Sequence, residues 1–353
     1  MNQEYPGARI EFLCLLLLWP LYAWSQPEHL FVDEPSTPTI FQYIAANQIE
    51  RMVITTDFTK LIAERNEDHH LDATVVMEGP NYFRETMRLK VQLRGRNRRL
   101  VCEMPPLKLD FSKKRLSERG LSEDGDKLKL VTHCADEFQD EYLLREYWAY
   151  RIYNQLTPVS FQVHLLRIRY IDTSDPEQQM EDQLAFLIES KEELANRFDG
   201  KDEDMWGLTS IDVDKQSYYN TVLFQYMIGN DDWSMESPHN LAFIERPDGE
   251  PPLIVPYDFD FSGLVNAPYA RPNPKWGGFS VLDRVAMGAF DTREDLQNTL
   301  DGFLSLKNGG FNCFEECRWL SERTKKRMEK YLLGFYKQLE NTRKIERIFV
   351  DGQ

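Results

Sequence analysis

The sequence Arg88-Leu89-Lys90-Val91-Gln92-Leu93 alternates charged or polar side chains with aliphatic ones. Successive side chains of a β-strand point to opposite faces, so this pattern predicts a strand with one apolar and one basic face. Gly95 and Asn97 then mark a turn, and Leu107–Phe111 and Lys127–Val131 are further strand-like runs. We therefore predict a series of antiparallel strands in the early part of the chain.

One long helix is predicted after these strands, from Asp136 to Leu156, because apolar residues recur there at helical spacing. Two more strands are predicted at Val163–Ile171 and Leu184–Ile188, and the rest of the chain is mostly helical. These elements predict an α+β fold with two lobes: a β-rich first lobe with one packed helix, over residues 51–190, and a mainly helical second lobe, over residues 191–353.

Basic residues are concentrated around the first of these strands, although the chain as a whole is acidic. Its formal net charge of −16 argues against binding to nucleic acid or to an anionic membrane. The basic cluster has two interpretations, a phosphate-binding face or a solvated edge strand. It comprises Arg84, Arg88, Lys90, Arg94, Arg96, Arg98 and Arg99.

Residues 1–25 are typical of a secretory signal. Arg9 precedes the apolar run Phe12–Trp24, and Ala23-Trp24-Ser25 is a small-x-small cleavage pattern. We expect a mature chain that is exported to a periplasmic, cell-surface or extracellular location, is not inserted in a membrane, and begins with a linker over residues 26–50. An uncleaved anchor is the alternative, although so short an apolar run spans a bilayer poorly.

The cysteines form an even set once the signal is removed, and an oxidising compartment would allow them to pair. The expected pairs are Cys102 with Cys134 and Cys313 with Cys317, and free buried thiols are the alternative. A zinc site is disfavoured, because only Cys313 and Cys317 are closely spaced.

A loop after the predicted helix Ser217–Ile228 contains the densest group of acids and turn residues in the chain. Two short strands, Leu241–Ile244 and Leu253–Val255, are predicted within this loop, and they would bring its two halves to one edge. The first half reads Gly229-Asn230-Asp231-Asp232 and continues to His239-Asn240, and the second half reads Pro256-Tyr257-Asp258-Phe259-Asp260.

Phosphoryl transfer needs three kinds of side chain. One carboxylate orients the attacking hydroxyl, and an amide and a second carboxylate hold a divalent metal against the phosphates. Asp232, Asn240 and Asp258 supply this set in that order. Asp260 has two interpretations: a further metal ligand on the same face as Asp258, or a salt-bridge partner of Arg271.

These loop motifs resemble those of the atypical kinases of the spore-coat CotH family and, more distantly, those of the HipA kinases. The similar motifs are Gly-Asn-x-Asp, His-Asn and Pro-Tyr-Asp-Phe-Asp, and the resemblance extends over most of the chain from Met52 to Gly263. Earlier features are similar as well: Arg94-Gly95, Pro106-Leu107-Lys108, Lys127-Leu128-Lys129-Leu130 and Arg145-Glu146.

The resemblance implies a two-lobed protein-kinase-like fold and transfer of the ATP γ-phosphate to a hydroxyl group of a protein or a small molecule. Asp232 would be the catalytic carboxylate. Asn240 and Asp258 would bind Mg²⁺ or Mn²⁺, with Asp260 as a third candidate ligand.

The resemblance also implies residues that bind the nucleotide. A lysine held by Glu146 would contact the phosphates; Lys129 is preferred because its strand directly precedes the helix, and Lys108 is the alternative. Glu189 would contact adenine. Arg94 would cover the phosphates, since the sequence contains no Gly-x-Gly-x-x-Gly loop.

Two other functions remain open. Export favours a non-catalytic kinase-like binding module, because ATP is scarce outside the cytoplasm. A glycosyltransferase could hold a nucleotide-sugar diphosphate through a metal bound by Asp258 and Asp260, although such an enzyme should begin with alternating strands and helices.

Overall fold

The structure is a computed structural model that describes residues 37–95, 98–134, 139–175, 181–308 and 319–351. The predicted signal sequence, Arg96, Cys313 and Cys317 lie outside these residues, so the predictions about them remain predictions. All of the described residues belong to one compact unit, Ser36–Gln353.

Seven strands close into a barrel in the order β1-β2-β3-β4-β5-β7-β6. Neighbouring strands are antiparallel except at the closure, where β1 pairs parallel with β6. The barrel strands are β1 (Arg51–Thr56), β2 (Leu71–Glu78), β3 (Arg84–Leu93), β4 (Leu107–Phe111), β5 (Lys127–Thr132), β6 (Val163–Asp172) and β7 (Gln183–Ile188).

The alternation that predicted β3 is confirmed by burial. Leu89 and Val91 lie in the barrel interior, whereas Arg88 and Lys90 are exposed. However, β3 pairs with β2 on one side and β4 on the other, so the interpretation as an edge strand is wrong. The apolar face of the strand fills the barrel, and its basic face covers the outside.

A second, three-stranded antiparallel sheet has the order β10-β9-β8. Its strands are β8 (Lys201–Asp202), β9 (Leu241–Glu245) and β10 (Leu253–Pro256). The β9–β10 pair is the hairpin that the sequence predicted between Asn240 and Asp258, and Leu241 lies opposite Pro256. Both of those residues therefore lie at the same end of the hairpin.

Helices fill the sequence between and after the strands. Some were not predicted: α1 lies in the predicted linker, and α4 lies between the predicted strands Leu107–Phe111 and Lys127–Val131. Within the described ranges the helices are α1 (Ile40–Ala46), α2 (Phe58–Ala63), α3 (Arg98–Val101), α4 (Lys113–Ser117), α5 (Gln139–Leu156), α6 (Lys191–Asn196), α7 (Lys215–Ile228), α8 (Arg293–Asn308), α9 (Glu322–Leu339) and α10 (Thr342–Phe349).

The predicted two-lobed kinase-like fold, with a β-sheet lobe followed by a helical lobe, is wrong. The chain instead forms a closed, mixed seven-stranded barrel together with ten helices in the described residues. Alternation predicts strands because it is local, but closure depends on the parallel pairing of Arg51–Thr56 with Arg167–Asp172. No local pattern specifies a contact between segments so distant in sequence.

Two apolar cores share β5 and β7. Leu130 and Leu187 point into the barrel. Val131 and Phe186 belong to the second core, which the outer barrel face forms with residues of α5 and α7. Side chains on that outer face, including Lys129, therefore lie toward the helical part of the molecule.

The predicted pair Cys102–Cys134 is confirmed as a disulfide. It joins the residue that follows α3 to the segment between β5 and α5. Across the described part of the chain, every helix is too short or too polar to cross a membrane.

Candidate functional site

The start of the acidic loop is fixed by the end of α7. Gly229 ends this helix in the left-handed conformation, and a Cβ there would lie 2.0 Å from the Tyr331 hydroxyl. Asn230, which is 1% exposed, donates to Gln225 Oε1 at 3.0 Å and accepts from the Asp232 backbone N–H at 3.1 Å. Gly229 and Asn230 therefore determine the direction of the backbone that leads to Asp232.

Asp232 and Asn240 contact each other directly. The Asn240 side-chain amide donates from Nδ2 to the Asp232 backbone carbonyl at 2.7 Å and to Asp232 Oδ2 at 3.1 Å. His239 Nε2 lies 3.1 Å from the other oxygen, Asp232 Oδ1. Because Nδ2 is engaged in this way, Asn240 Oδ1 is the amide atom left for a cation.

Asp258 is joined to this pair through the backbone. The Tyr257 N–H donates to the Asn240 carbonyl at 3.0 Å, and the Asp258 N–H donates to the Tyr150 hydroxyl at 2.8 Å. Asn240 and Asp258 have φ angles of 53° and 62°. Left-handed non-glycine residues cost about 1–3 kcal/mol each and persist where the surroundings determine them. The structure thus brings together Asp232, Asn240 and Asp258.

Asp260 faces a different set of groups from Asp258. Its Oδ2 accepts from the Tyr269 hydroxyl at 3.0 Å and lies 3.8 Å from Arg98 Nε. Burial, followed by the negative charge of Asp258, raises the pKa of Asp260 to about 7. The expected alternative partner, Arg271, donates instead to backbone carbonyls. The salt-bridge interpretation therefore has the wrong arginine.

Glu146 projects from α5 and is 1% exposed. Its Oε2 lies 3.3 Å from Arg98 Nη1, so the prediction that a lysine would be its partner is wrong. Its other oxygen, Oε1, has no hydrogen-bond partner among the described residues. Burial raises the pKa of Glu146 to about 8. The sequence did indicate that Glu146 needs a cation, because a buried acid is costly without one. It did not indicate Arg98, because the basic cluster contains many other cations.

Lys129 and Lys108 lie directly opposite each other on β5 and β4, so both are on the outer barrel face. Lys129 Nζ lies 4.5 Å from the ring centroid of Tyr257, the residue before Asp258. Burial, followed by the positive charges of Arg94 and Lys191, lowers the pKa of Lys129 to about 7. Within the described ranges, neither Lys129 nor Arg94 has a carboxylate within 4.0 Å.

Glu189 is not brought into this group. It directly follows β7, and its Oε1 accepts from the Gln162 N–H at 2.6 Å and pairs with Arg197 at 2.7 Å. This carboxylate is therefore held by barrel and helix neighbours.

The oxygens of Asp258 and Asn240 fit a magnesium site whose remaining ligands are water and phosphate oxygens. Mg²⁺ commonly takes one or two protein carboxylate or amide oxygens and completes its shell with water and phosphate oxygens. Asp258 and Asn240 Oδ1 provide two such oxygens. A second group of possible ligands, whose ligand atoms lie within 4.8 Å of one another, is formed by Glu64, Glu67 and His69. Glu64 and His69 are half-buried and Glu67 is exposed, and the group is distant in sequence from the loop.

No protein-family model matches the chain, and no curated protein matches its sequence. Function must therefore be inferred from the residues of the site and their geometry.

Proposed function

We propose that this protein is a metal-dependent phosphotransferase that moves the γ-phosphoryl group of ATP to a hydroxyl group of a protein or a small molecule. The observation that carries the proposal is the hydrogen-bonded connection between the two halves of the acidic loop. Asn240 binds Asp232 through its side chain and the Tyr257 N–H through its carbonyl, so Asp232 and Asn240 lie beside the segment that carries Asp258. The proposal rests on this site and not on the overall fold.

Asp258 and Asn240 Oδ1 are the metal ligands in this proposal, for Mg²⁺ or Mn²⁺. A bound divalent cation supplies charge neutralisation at the transferring phosphate. The two ligands are held by different elements: Asn240 by Asp232, and Asp258 by the Tyr150 hydroxyl of α5. Rigid placement of this kind favours one coordination geometry.

Asp232 is the residue that orients the acceptor hydroxyl. Its side chain is 32% exposed, so an acceptor can reach it from solvent. His239 and Asn240 each contact one of its oxygens and fix the carboxylate plane. A carboxylate oxygen has two lone-pair sites, so each oxygen can still accept from an incoming hydroxyl.

Lys129 and Arg94 are the cations assigned to the nucleotide phosphates. Both are half-buried, and Arg94 acts electrostatically on Lys129. A chain with a net charge of −16 repels ATP at long range. Local cations that are not paired with protein carboxylates offset this repulsion at the site.

Calorimetry with magnesium-ATP tests the proposal. Asp258→Ala should abolish metal-dependent nucleotide binding, because a ligand and its charge are both lost. Asp232→Ala should keep that binding and remove transfer to a hydroxyl acceptor. Asp231→Asn is the matched control, since Asp231 is the neighbouring acid, accepts from the Asn273 N–H at 2.9 Å and has no role in the proposed site. Absence of metal-dependent binding by the unmodified protein at millimolar ATP would overturn the proposal.

A module that binds metal and nucleotide without transfer is the second candidate. It is favoured by the contacts to both oxygens of Asp232, which leave only one lone-pair site on each oxygen for an acceptor hydroxyl. Wild-type protein that binds magnesium-ATP but transfers no phosphate to water or to added hydroxyl acceptors would support it. A glycosyltransferase is disfavoured, because Asp260 is engaged by Tyr269 and Arg98 and the barrel strands are almost all antiparallel.

A further inference from the structure

Behind Asp258 lies a buried group of charges in which one cation serves two acids. Arg98 Nη1 lies 3.3 Å from Glu146 Oε2, and Arg98 Nε lies 3.8 Å from Asp260 Oδ2. The two acids are almost fully buried, and the arginine side chain is 12% exposed. Two buried carboxylates without a cation between them repel each other and lose solvation, so this arrangement depends on Arg98.

Asp260 is linked to the metal ligand Asp258 by a single intervening residue, Phe259, which is fully buried. The direction of Asp258 therefore depends on where Asp260 is held. Arg98 and Tyr269 are the groups that hold Asp260, and the arginine guanidinium lies 5.7 Å from the tyrosine ring centroid.

Arg98 itself lies on a weak element. The helix α3 has only four residues, too few to be stable alone, and Leu100 on it is largely exposed. Arg65 and Arg99 tie this helix to the α2–β2 connection through backbone carbonyls and Asp68. On the opposite side, toward α5, the covalent anchor is the Cys102–Cys134 disulfide, and Cys102 N–H donates to the Arg98 carbonyl at 3.0 Å.

We infer that Arg98 is a positioning residue of this site: it holds Glu146 and Asp260 behind Asp258, and the Cys102–Cys134 disulfide keeps it there, so that reduction of the disulfide weakens metal-dependent nucleotide binding. This inference rests on the proposed function. Arg98 of the basic cluster and the Cys102–Cys134 disulfide would then both support the site, a role that the sequence motifs did not indicate.

Arg98→Met is the first test, measured by calorimetry with magnesium-ATP. We expect a loss of about 10-fold or more in metal-dependent affinity, as is usual when a residue that orients a ligand is removed. Arg98→Lys retains the charge and should recover part of the loss. Arg84→Met is the matched control: it removes an exposed charge of the same basic cluster that pairs with Glu78 and not with the site, so affinity should stay within about 2-fold, below the range expected for an orienting residue.

A readout without metal separates positioning from general damage to the fold. Nucleotide binding in the presence of a chelator depends on Lys129 and Arg94, so it should be the same in Arg98→Met and wild type. Equal losses with and without metal would contradict the inference and indicate a purely structural role. Thermal unfolding of each variant establishes that the binding measurements are made on folded protein.

The disulfide is tested by reduction and by the double variant Cys102→Ser/Cys134→Ser. Either change should lower metal-dependent affinity in the wild-type background and have no further effect in Arg98→Met, because both act through the same arginine. Additive losses would mean that the disulfide acts independently of Arg98.

The binding measurements distinguish failure of the proposed function from failure of the role of Arg98. If wild type shows no metal-dependent nucleotide binding, the proposed function fails and the inference falls with it. If wild type binds but Arg98→Met binds equally well, the inference alone is wrong.

Discussion

Two regions of this molecule each bury a glutamate against an arginine, and they differ in how completely the glutamate is satisfied. Glu189 at the end of β7 and Glu146 on α5 are both 1% exposed. Glu189 is 2.7 Å from Arg197 and also accepts a backbone N–H. Arg197 donates further to the carbonyls of Pro158 and Ser160.

The pair Glu146–Arg98 is looser and incomplete. The separation is 3.3 Å, Arg98 is shared with Asp260, and Glu146 Oε1 has no hydrogen-bond partner within the described part of the chain. The Glu189 carboxylate accepts hydrogen bonds of 2.6 and 2.7 Å through Oε1, whereas Glu146 keeps a buried oxygen with no partner among the described residues, and that oxygen can still respond to a ligand. Burial and charge are therefore common to both glutamates, and what distinguishes Glu146 is a buried carboxylate oxygen with no hydrogen-bond partner in the described residues.

The largest effect should come from removing Glu189, the more strongly bonded of the two glutamates. Glu189→Ala removes the partner of Arg197 and the acceptor of the Gln162 N–H, so we expect a loss of about 3 kcal/mol in the free energy of unfolding. Denaturant unfolding measures it. Glu192→Ala, an exposed acid on α6 that accepts from the Gly125 N–H, should cost less than about 1 kcal/mol. Similar losses for both variants would contradict the stabilising role of Glu189.

A smaller, pH-dependent effect is expected at Glu146. Burial raises its pKa to about 8 from an ordinary 4.5, so its contribution to stability is present below about pH 4.5 and is lost as the pH rises to about 8. Glu146→Gln cannot titrate. It should match wild type near pH 5 and have a free energy of unfolding that is higher by about 1–2 kcal/mol at pH 8. This difference is below the maximum of about 1.4 kcal/mol for each unit of pKa shift. Unfolding of the metal-free proteins at several pH values tests this, and parallel curves for the two would refute it.

Removal of the Tyr269 hydroxyl tests how firmly Asp260 is held. Tyr269→Phe deletes the donor 3.0 Å from Asp260 Oδ2 and keeps the ring near Arg98. We expect a loss of about 1 kcal/mol, the usual value for a buried hydrogen bond. Tyr153→Phe is the control, because its hydroxyl makes only a 3.4 Å contact to Thr221. Equal stability of Tyr269→Phe and wild type would contradict this prediction.

The smallest effect is expected at Lys129, the neighbouring cation that neither glutamate binds. Lys129→Met should stabilise the free protein by less than about 1 kcal/mol at pH 6, because relief of burying a charge is offset by loss of the contact with Tyr257. The pKa of Lys129 is lowered to about 7 from 10.5. The gain should therefore shrink as the pH rises from about 7 toward 10.5. Differential scanning calorimetry across this range would detect an opposite trend.

Several features of the fold were predictable from local pattern. The alternation in β3 and the spacing of apolar residues in α5 specify strand and helix, because each element has its own side-chain period. The hairpin between Asn240 and Asp258 was predictable for the same reason. Closure of the barrel was not, since the pairing of β1 with β6 is a contact between segments with no local relation.

By itself, the sequence determined the order of chemical groups: a carboxylate at Asp232, an amide at Asn240 and a carboxylate at Asp258, separated by a hairpin. Only the tertiary structure decided which cation pairs with Glu146. Lys108, Lys129 and Arg98 are equivalent as positive charges in a sequence, and the choice of Arg98 follows from the position of α3 beside α5. The sequence specifies the type of each side chain. Coulomb interactions depend on distance and burial, and both are determined only when the helices and strands pack together.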